Sequence, residues 1–171
     1  MNSKKLILVI VLLGSLKVFG AIIFSNGTGG GDWVVGATWA GGVAPIATDD
    51  AVIVVGDVVT FANNRSCVNF TNNGTLNFTT NTRTLTVNGN LTTTGVGVVI
   101  GGGTNRIMNV AGTLTIPSTN SLEIQGIFLT ITDLATIDGT LLFSVNAAGT
   151  KTFSNNLIVN NTASIVFDVT E

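Results

Sequence analysis

The sequence is short of charge, histidine and cysteine, and each shortage excludes something. Only 9% of the 171 residues are charged, against about 25% in an ordinary soluble domain. There is no histidine, and cysteine occurs once, at Cys67. One thiol makes neither an internal disulfide nor a metal site. Without a histidine, Cys67 also lacks the usual base for a thiol nucleophile, and it reads as a small buried hydrophobe in a strand. Beyond residue 5 there is no basic run, and net charge is −2. Arg65, Arg83, Arg106 and Lys151 are scattered along the chain. Nucleic acid binding needs a clustered positive face to displace counterions, so no nucleic acid partner is expected.

Hydrophobic residues make up 45% of the chain, too many for a disordered one. The remainder is mostly Thr, Asn, Gly and Ser, while the helix formers Glu, Lys, Arg and Gln are scarce. This is an all-β composition.

Residues 1–20 have the form of a secretory signal peptide. Lys4 and Lys5 precede an apolar stretch at 6–13, and small residues lead to a cleavage point near Ala21. The stretch is short for a membrane span, which needs about 20 residues. The rival is an uncleaved N-terminal anchor, since Leu16, Val18 and Phe19 prolong the hydrophobicity. The expectation is a secreted or cell-surface protein with no membrane insertion after cleavage.

Residues 21–49 form a loop-rich N-terminal cap in this reading. Asn26-Gly27, Gly29 to Gly31, Gly41-Gly42 and Pro45 are turn signals. Trp33 and Trp39, the two tryptophans, sit among them. Large aromatics between glycines serve to cover an exposed core end; stacking on a sugar is the sharper alternative.

From residue 50 onward, short apolar and threonine-bearing runs alternate with Asn-Gly, Ala-Gly and Asp-Gly corners. Expected strands fall at 51–55, 58–61, 68–70, 75–78, 84–87, 90–92 and 96–100. They continue at 106–110, 113–116, 121–124, 128–132, 136–137, 140–145, 156–159 and 164–169. One phrase recurs as Asn73-Gly74-Thr75-Leu76, Ala111-Gly112-Thr113-Leu114 and Asp138-Gly139-Thr140-Leu141. Asn88-Gly89-Asn90-Leu91 is a near copy. Repetition at such intervals signals a solenoid. Thr84-Leu85-Thr86, Thr113-Leu114-Thr115 and Thr130-Ile131-Thr132 each place one apolar side chain inward between two outward hydroxyls. Residues 50–171 are therefore read as a right-handed parallel β-helix of about five or six rungs. Stacked Asn side chains would form ladders at its corners. The alternative is an antiparallel β-sandwich, whose strands alternate over longer runs.

The opening segment carries a resemblance. Gly31-Asp32-Trp33, then the run from Ala37 through Trp39 to Pro45, then Asp49-Asp50-Ala51-Val52 and Gly56-Asp57-Val58 are similar to the start of a G8 domain. They also resemble the opening of secreted, adhesin-like β-helix proteins of Bacteroidetes-type bacteria. Such proteins are long and often end in a sorting domain. The resemblance implies a structural or adhesive surface module, with surface glycans or another cell-surface protein as partners. The sequence reaches Phe167-Asp168-Val169-Thr170-Glu171 inside what reads as a strand. Truncation, or self-association through an uncapped C-terminal end, is expected to go with such an exposed edge.

No residue is nominated as catalytic, cofactor-binding or metal-binding. Asp49 and Asp50 are adjacent and serve best as caps of backbone amides; no spaced Asp-x-Asp loop points to calcium. The remaining carboxylates are dispersed, whereas glycoside hydrolysis needs two facing across a cleft. Two further readings stay open. One is a non-catalytic fragment of a carbohydrate-active β-helix protein, by analogy of fold. The other is ice binding by aligned Thr-x-Thr units.

Overall fold

The computed structural model describes residues 20–101, 105–144 and 149–168. The expected signal segment therefore lies outside the described residues, apart from Gly20.

The strands follow the chain in coils. Two open it, β1 (Ile22–Phe24) and β2 (Gly30–Asp32), followed by one 3₁₀ turn at Gly36–Thr38. The first full coil is β3 (Asp50–Ile53), β4 (Val58–Phe61) and β5 (Arg65–Cys67). The second is β6 (Phe70–Asn72), β7 (Thr75–Phe78) and β8 (Thr84–Val87). The third is β9 (Leu91–Thr92), β10 (Val96–Gly101) and β11 (Ile107–Val110). The fourth is β12 (Leu114–Ile116), β13 (Ser121–Gln125) and β14 (Phe128–Ile131). The fifth is β15 (Ala135–Ile137), β16 (Thr140–Ser144) and β17 (Lys151–Phe153). β18 (Leu157–Val159) and β19 (Ser164–Asp168) begin a further coil.

Like strands of successive coils stack into three sheets. Sheet I is β1-β3-β6-β9-β12-β15-β18, sheet II is β2-β4-β7-β10-β13-β16-β19, and sheet III is β5-β8-β11-β14-β17. Every ladder between these strands is parallel, from β1 against β3 to β16 against β19. The protein is a β-solenoid of five complete turns, and the antiparallel sandwich is excluded.

Side-chain alternation explains why these short segments stack. Half-buried and fully buried positions alternate along the strands, as in Thr75–Phe78 and Thr84–Val87. In sheet II the inward column runs Val59, Leu76, Val99, Ile124, Phe143. In sheet III it runs Cys67, Val87, Val110, Ile131. All of these side chains are buried. A full Leu or Ile side chain taken out of water contributes about 1.5–3 kcal/mol, so each coil is held chiefly by its inward groups.

The opening segment is more than a cap. Its β1 and β2 pair with β3 and β4 and so belong to sheets I and II. The border expected at residue 49 thus falls after the first two strands of the solenoid. Trp33 and Trp39 are buried and close the core, as the composition of that segment implies. Trp33 lies 6.3 Å from Phe61 and 6.2 Å from Phe70 between ring centroids.

Candidate functional site

The outer face of sheet I is the most regular surface in the molecule. Its central outward column is Phe24, Val52, Thr71, Thr92, Thr115, Thr136, Ile158, each paired with the next. Four threonine hydroxyls stand in single file, spaced about 4.8 Å apart by the strand stacking. The Thr92 hydroxyl donates to the carbonyl oxygen of Thr115 at 3.0 Å.

Beside this file runs a ladder of carboxylate and amide side chains at the corner that leads into sheet I. The Asn69 backbone N–H and side-chain amide both donate to Asp50 Oδ1, at 3.0 and 2.9 Å. Asn69 Oδ1 accepts the N–H of Asn90 at 2.9 Å, and Asn90 Oδ1 accepts that of Thr113 at 2.9 Å. These steps span 19, 21 and 23 residues, the length of one coil. Asp133 repeats the arrangement further on, accepting from Leu134 N–H at 2.8 Å and from the Asn155 amide at 3.2 Å.

The carboxylates serve as caps. Asp49 accepts from the N–H of Ala21 and of Ile46. Asp57 accepts from the N–H of Gly27 and of Gly29, at 2.8 and 2.7 Å. Burial acts to raise the Asp57 pKa, but the Ser25 hydroxyl and these two amides together outweigh it and hold it below the ordinary 3.8. Glu123 takes bonds from Gln125 and Ser144. Among the described residues no three His, Cys, Asp or Glu side chains gather as a metal site. Cys67 is buried, and its thiol pKa is pushed up to about 12 by burial and by the negative charge of Asp50. It is held in its unreactive form.

The three Thr-x-Thr units do not share one face. Thr84-Leu85-Thr86 and Thr130-Ile131-Thr132 begin on sheet III, while Thr113-Leu114-Thr115 enters sheet I. On sheet III the column is Ser66, Thr86, Asn109, Thr130, Thr152. The neighbouring one is Thr84, Ile107, Phe128. Leu85, Leu114 and Ile131 point inward and are fully buried, as the pattern requires.

Two hollows lie among the described residues. A groove of about 390 Å³ opens between sheets I and II, lined by Ser118, Thr119, Asn120, Asp138, Thr140 and Thr162 among others. A second hollow of about 580 Å³ is the open C-terminal end of the core, lined by Phe143, Lys151, Phe153, Leu157, Ile165 and Phe167. Lys151 ends an inward column that starts at another cation: Arg65, Leu85, Met108, Leu129, Lys151. Its ammonium donates to the carbonyl oxygens of Ile127 and Gly149, at 2.6 and 2.7 Å, and burial lowers its pKa.

No family model, curated protein or solved structure matches this chain.

Proposed function

We propose that this chain is a structural or adhesive module of a bacterial surface, exported through its N-terminal segment and without catalytic activity of its own. The observation that carries the reading is the file of Thr71, Thr92, Thr115 and Thr136 beside the Asp50–Asn69–Asn90 ladder. A flat array of hydroxyls fixed by backbone stacking is preorganised, so little side-chain entropy is lost on contact. It suits a polyhydroxylated partner such as a surface glycan, which exchanges hydrogen bonds with hydroxyl and amide groups over an extended area. Low charge density favours neutral glycans.

A glycan array probed with the chain and with a Thr92→Val, Thr115→Val variant tests this. Binding by the parent and its loss in the variant is the expected outcome. Equal binding by both, or none by either, overturns the reading.

The groove around Asp138 favours a second reading, a non-catalytic fragment of a carbohydrate-active β-helix protein. A Thr140→Val substitution that abolishes binding while the sheet I variant retains it selects this reading. Ice binding would use the single threonine file, and thermal hysteresis of the purified chain is its direct measure.

A further inference from the structure

Arg65, Arg83, Arg106 and Lys151 are far apart in sequence, and the solenoid brings them to one corner. Of the seven Lys and Arg residues, Lys4, Lys5 and Lys17 precede residue 20, and the other four all lie where a coil passes from sheet II to sheet III. Arg65 and Lys151 are the first residues of β5 and β17, and Arg83 and Arg106 directly precede β8 and β11. No Asp or Glu occurs in the corner segments 62–65, 79–84, 102–107, 126–128 and 145–151. Lys151, at the far end, is bonded to Ile127 O and Gly149 O. The three arginines crowd the first three coils.

The arginines interlock. Arg83 O accepts from Ile107 N–H at 2.8 Å, which sets Arg83 and Arg106 at the same position of successive coils, about 4.8 Å apart along the solenoid. Both side chains reach back toward the preceding coil. Arg83 Nε donates to Ala62 O and, at 3.1 Å, to Thr80 Oγ1; its Nη1 donates to Thr82 O at 3.2 Å. Arg106 Nε donates to Thr80 O at 3.2 Å. Thr80 thus anchors both guanidinium groups, and Ala62 opens the corner that leads into Arg65. The residue before each, Thr82 and Asn105, is held left-handed, with φ of 58° and 60°. That conformation is strained for a β-branched threonine, and the same turn recurs before both arginines.

Nothing among the described residues neutralises this corner. Arg106 is only 8% exposed, and Arg65 Nε is buried without a hydrogen-bond partner. The hydrogen bonds of the three guanidinium groups go to backbone oxygens and to the Thr80 hydroxyl, and none goes to a carboxylate. Arginine is almost never buried unpaired, because desolvating its charge is costly. Its planar fork matches an oxyanion in bidentate geometry. We propose that Arg65, Arg83 and Arg106 form a binding site for a single oxyanion group, the sulfate, phosphate or carboxylate of a small anion or of an acidic sugar residue. The chain as a whole is net negative, so it opposes a long polyanion such as nucleic acid and admits one group at this corner. The site is separate from the sheet I file, so it stands or fails apart from the glycan reading.

Thermal unfolding and isothermal titration of the full chain in Tris chloride test the site, with inorganic sulfate, inorganic phosphate, glucuronate and glucose 6-sulfate as probes. Sodium chloride at matched ionic strength separates binding from screening. At least one probe is expected to raise the melting temperature with concentration beyond chloride, as a ligand of the folded state must. Tighter binding of a sugar probe than of the inorganic ions assigns the group to an acidic sugar; equal or tighter binding of an inorganic ion assigns it to the ion itself. Arg83→Gln is expected to weaken the bound probe at least about tenfold. Arg65→Met keeps an unbranched stem beside Leu85 and deletes an uncompensated charge. It is expected to melt above the parent in chloride alone and to bind the probe at least about tenfold more weakly. A purely structural Arg65 gives the opposite result, lower stability with the anion's effect retained. No probe stabilising beyond chloride, affinity unchanged in both variants, an Arg65→Met protein less stable than the parent in chloride alone, or affinity for duplex DNA that rises with its length overturns the proposal.

Discussion

Trp39 donates its indole N–H to the backbone oxygen of Trp33 at 2.7 Å, while the two rings meet edge-on with 5.0 Å between centroids. Trp33 in turn donates its indole N–H to Pro45 O at 3.2 Å. Both buried donors are thus satisfied by backbone oxygens of the same segment, and the rings can close an apolar core without stranding a polar group.

Truncating this cap should therefore cost much of the molecule's stability. Trp39→Ala removes a buried ring and the antiparallel bridge partner of Ser25 loses its anchor. A loss of about 3–5 kcal/mol is expected by the usual cost of such truncations. Trp39→Phe keeps most of the packing but drops the N–H to Trp33 and should cost less. Urea unfolding of the three proteins gives the order directly.

The corner ladder makes a sharper prediction, because glycine and asparagine depend on each other there. A Cβ on Gly89 would come 2.5 Å from Asn69 Oδ1. The glycine is present because the side chain of the preceding coil occupies that space. Gly89→Ala should destabilise by about 1–3 kcal/mol, the cost of overpacking. On an Asn69→Ala background much of that penalty should vanish. A double-mutant cycle by denaturant unfolding measures the coupling, and additive penalties would show that the two residues are independent.

Most of this architecture was legible in residue pattern. The strands at 58–61, 75–78 and 84–87 have the bounds that apolar alternation predicts. Asn-Gly corners marked the places where one coil's side chain meets the next coil's backbone. Of the expected strand at 68–70, Val68 and Asn69 instead form the corner between β5 and β6, with Asn69 turned toward Asp50, and Phe70 opens β6. β5 escaped notice because Arg65-Ser66-Cys67 offers one apolar residue, and its register is set by pairing with β8. β17 was missed similarly, since Lys151 occupies an inward position. β2 lay hidden among glycines, where only long-range pairing makes Gly30–Asp32 a strand, and the three apolar residues of β1 closely follow the expected signal segment. Periodicity reports side chains and is blind to strands defined by their neighbours. The assembly of the threonine file was equally invisible, because coils of 19 to 23 residues carry no fixed period.

Acid should loosen the first coil through Asp57. Its folded pKa lies below the ordinary 3.8, so its contribution is fully present above the unfolded value and disappears as pH falls through the folded one. Hydrogen bonds to a charged group contribute about 1.5–3 kcal/mol. Asp57→Asn should therefore lose stability of that order at pH 7, with the difference shrinking below about pH 4. Urea midpoints of the two proteins at neutral and acid pH provide the comparison.

Cys67 offers a probe of how the solenoid opens. Cys67 belongs to the first coil and is fully buried at the start of the inward sheet III column, beside Val87. Burial and Asp50 raise the thiol pKa to about 12, so at pH 8 the folded protein holds almost no thiolate. Labelling by a thiol reagent must then wait for the coil to open, and its rate should not depend on reagent concentration once opening limits the reaction. Since Cys67 lies next to the capped end, Trp39→Ala should accelerate labelling, by the factor that its loss of stability sets at reagent concentrations low enough for reclosing to outrun the reaction. A distal variant such as Leu141→Ala should accelerate it equally if the solenoid unfolds as one unit, and less if coils open from the ends. Rapid labelling of the native protein at pH 8 would contradict the burial of this thiol.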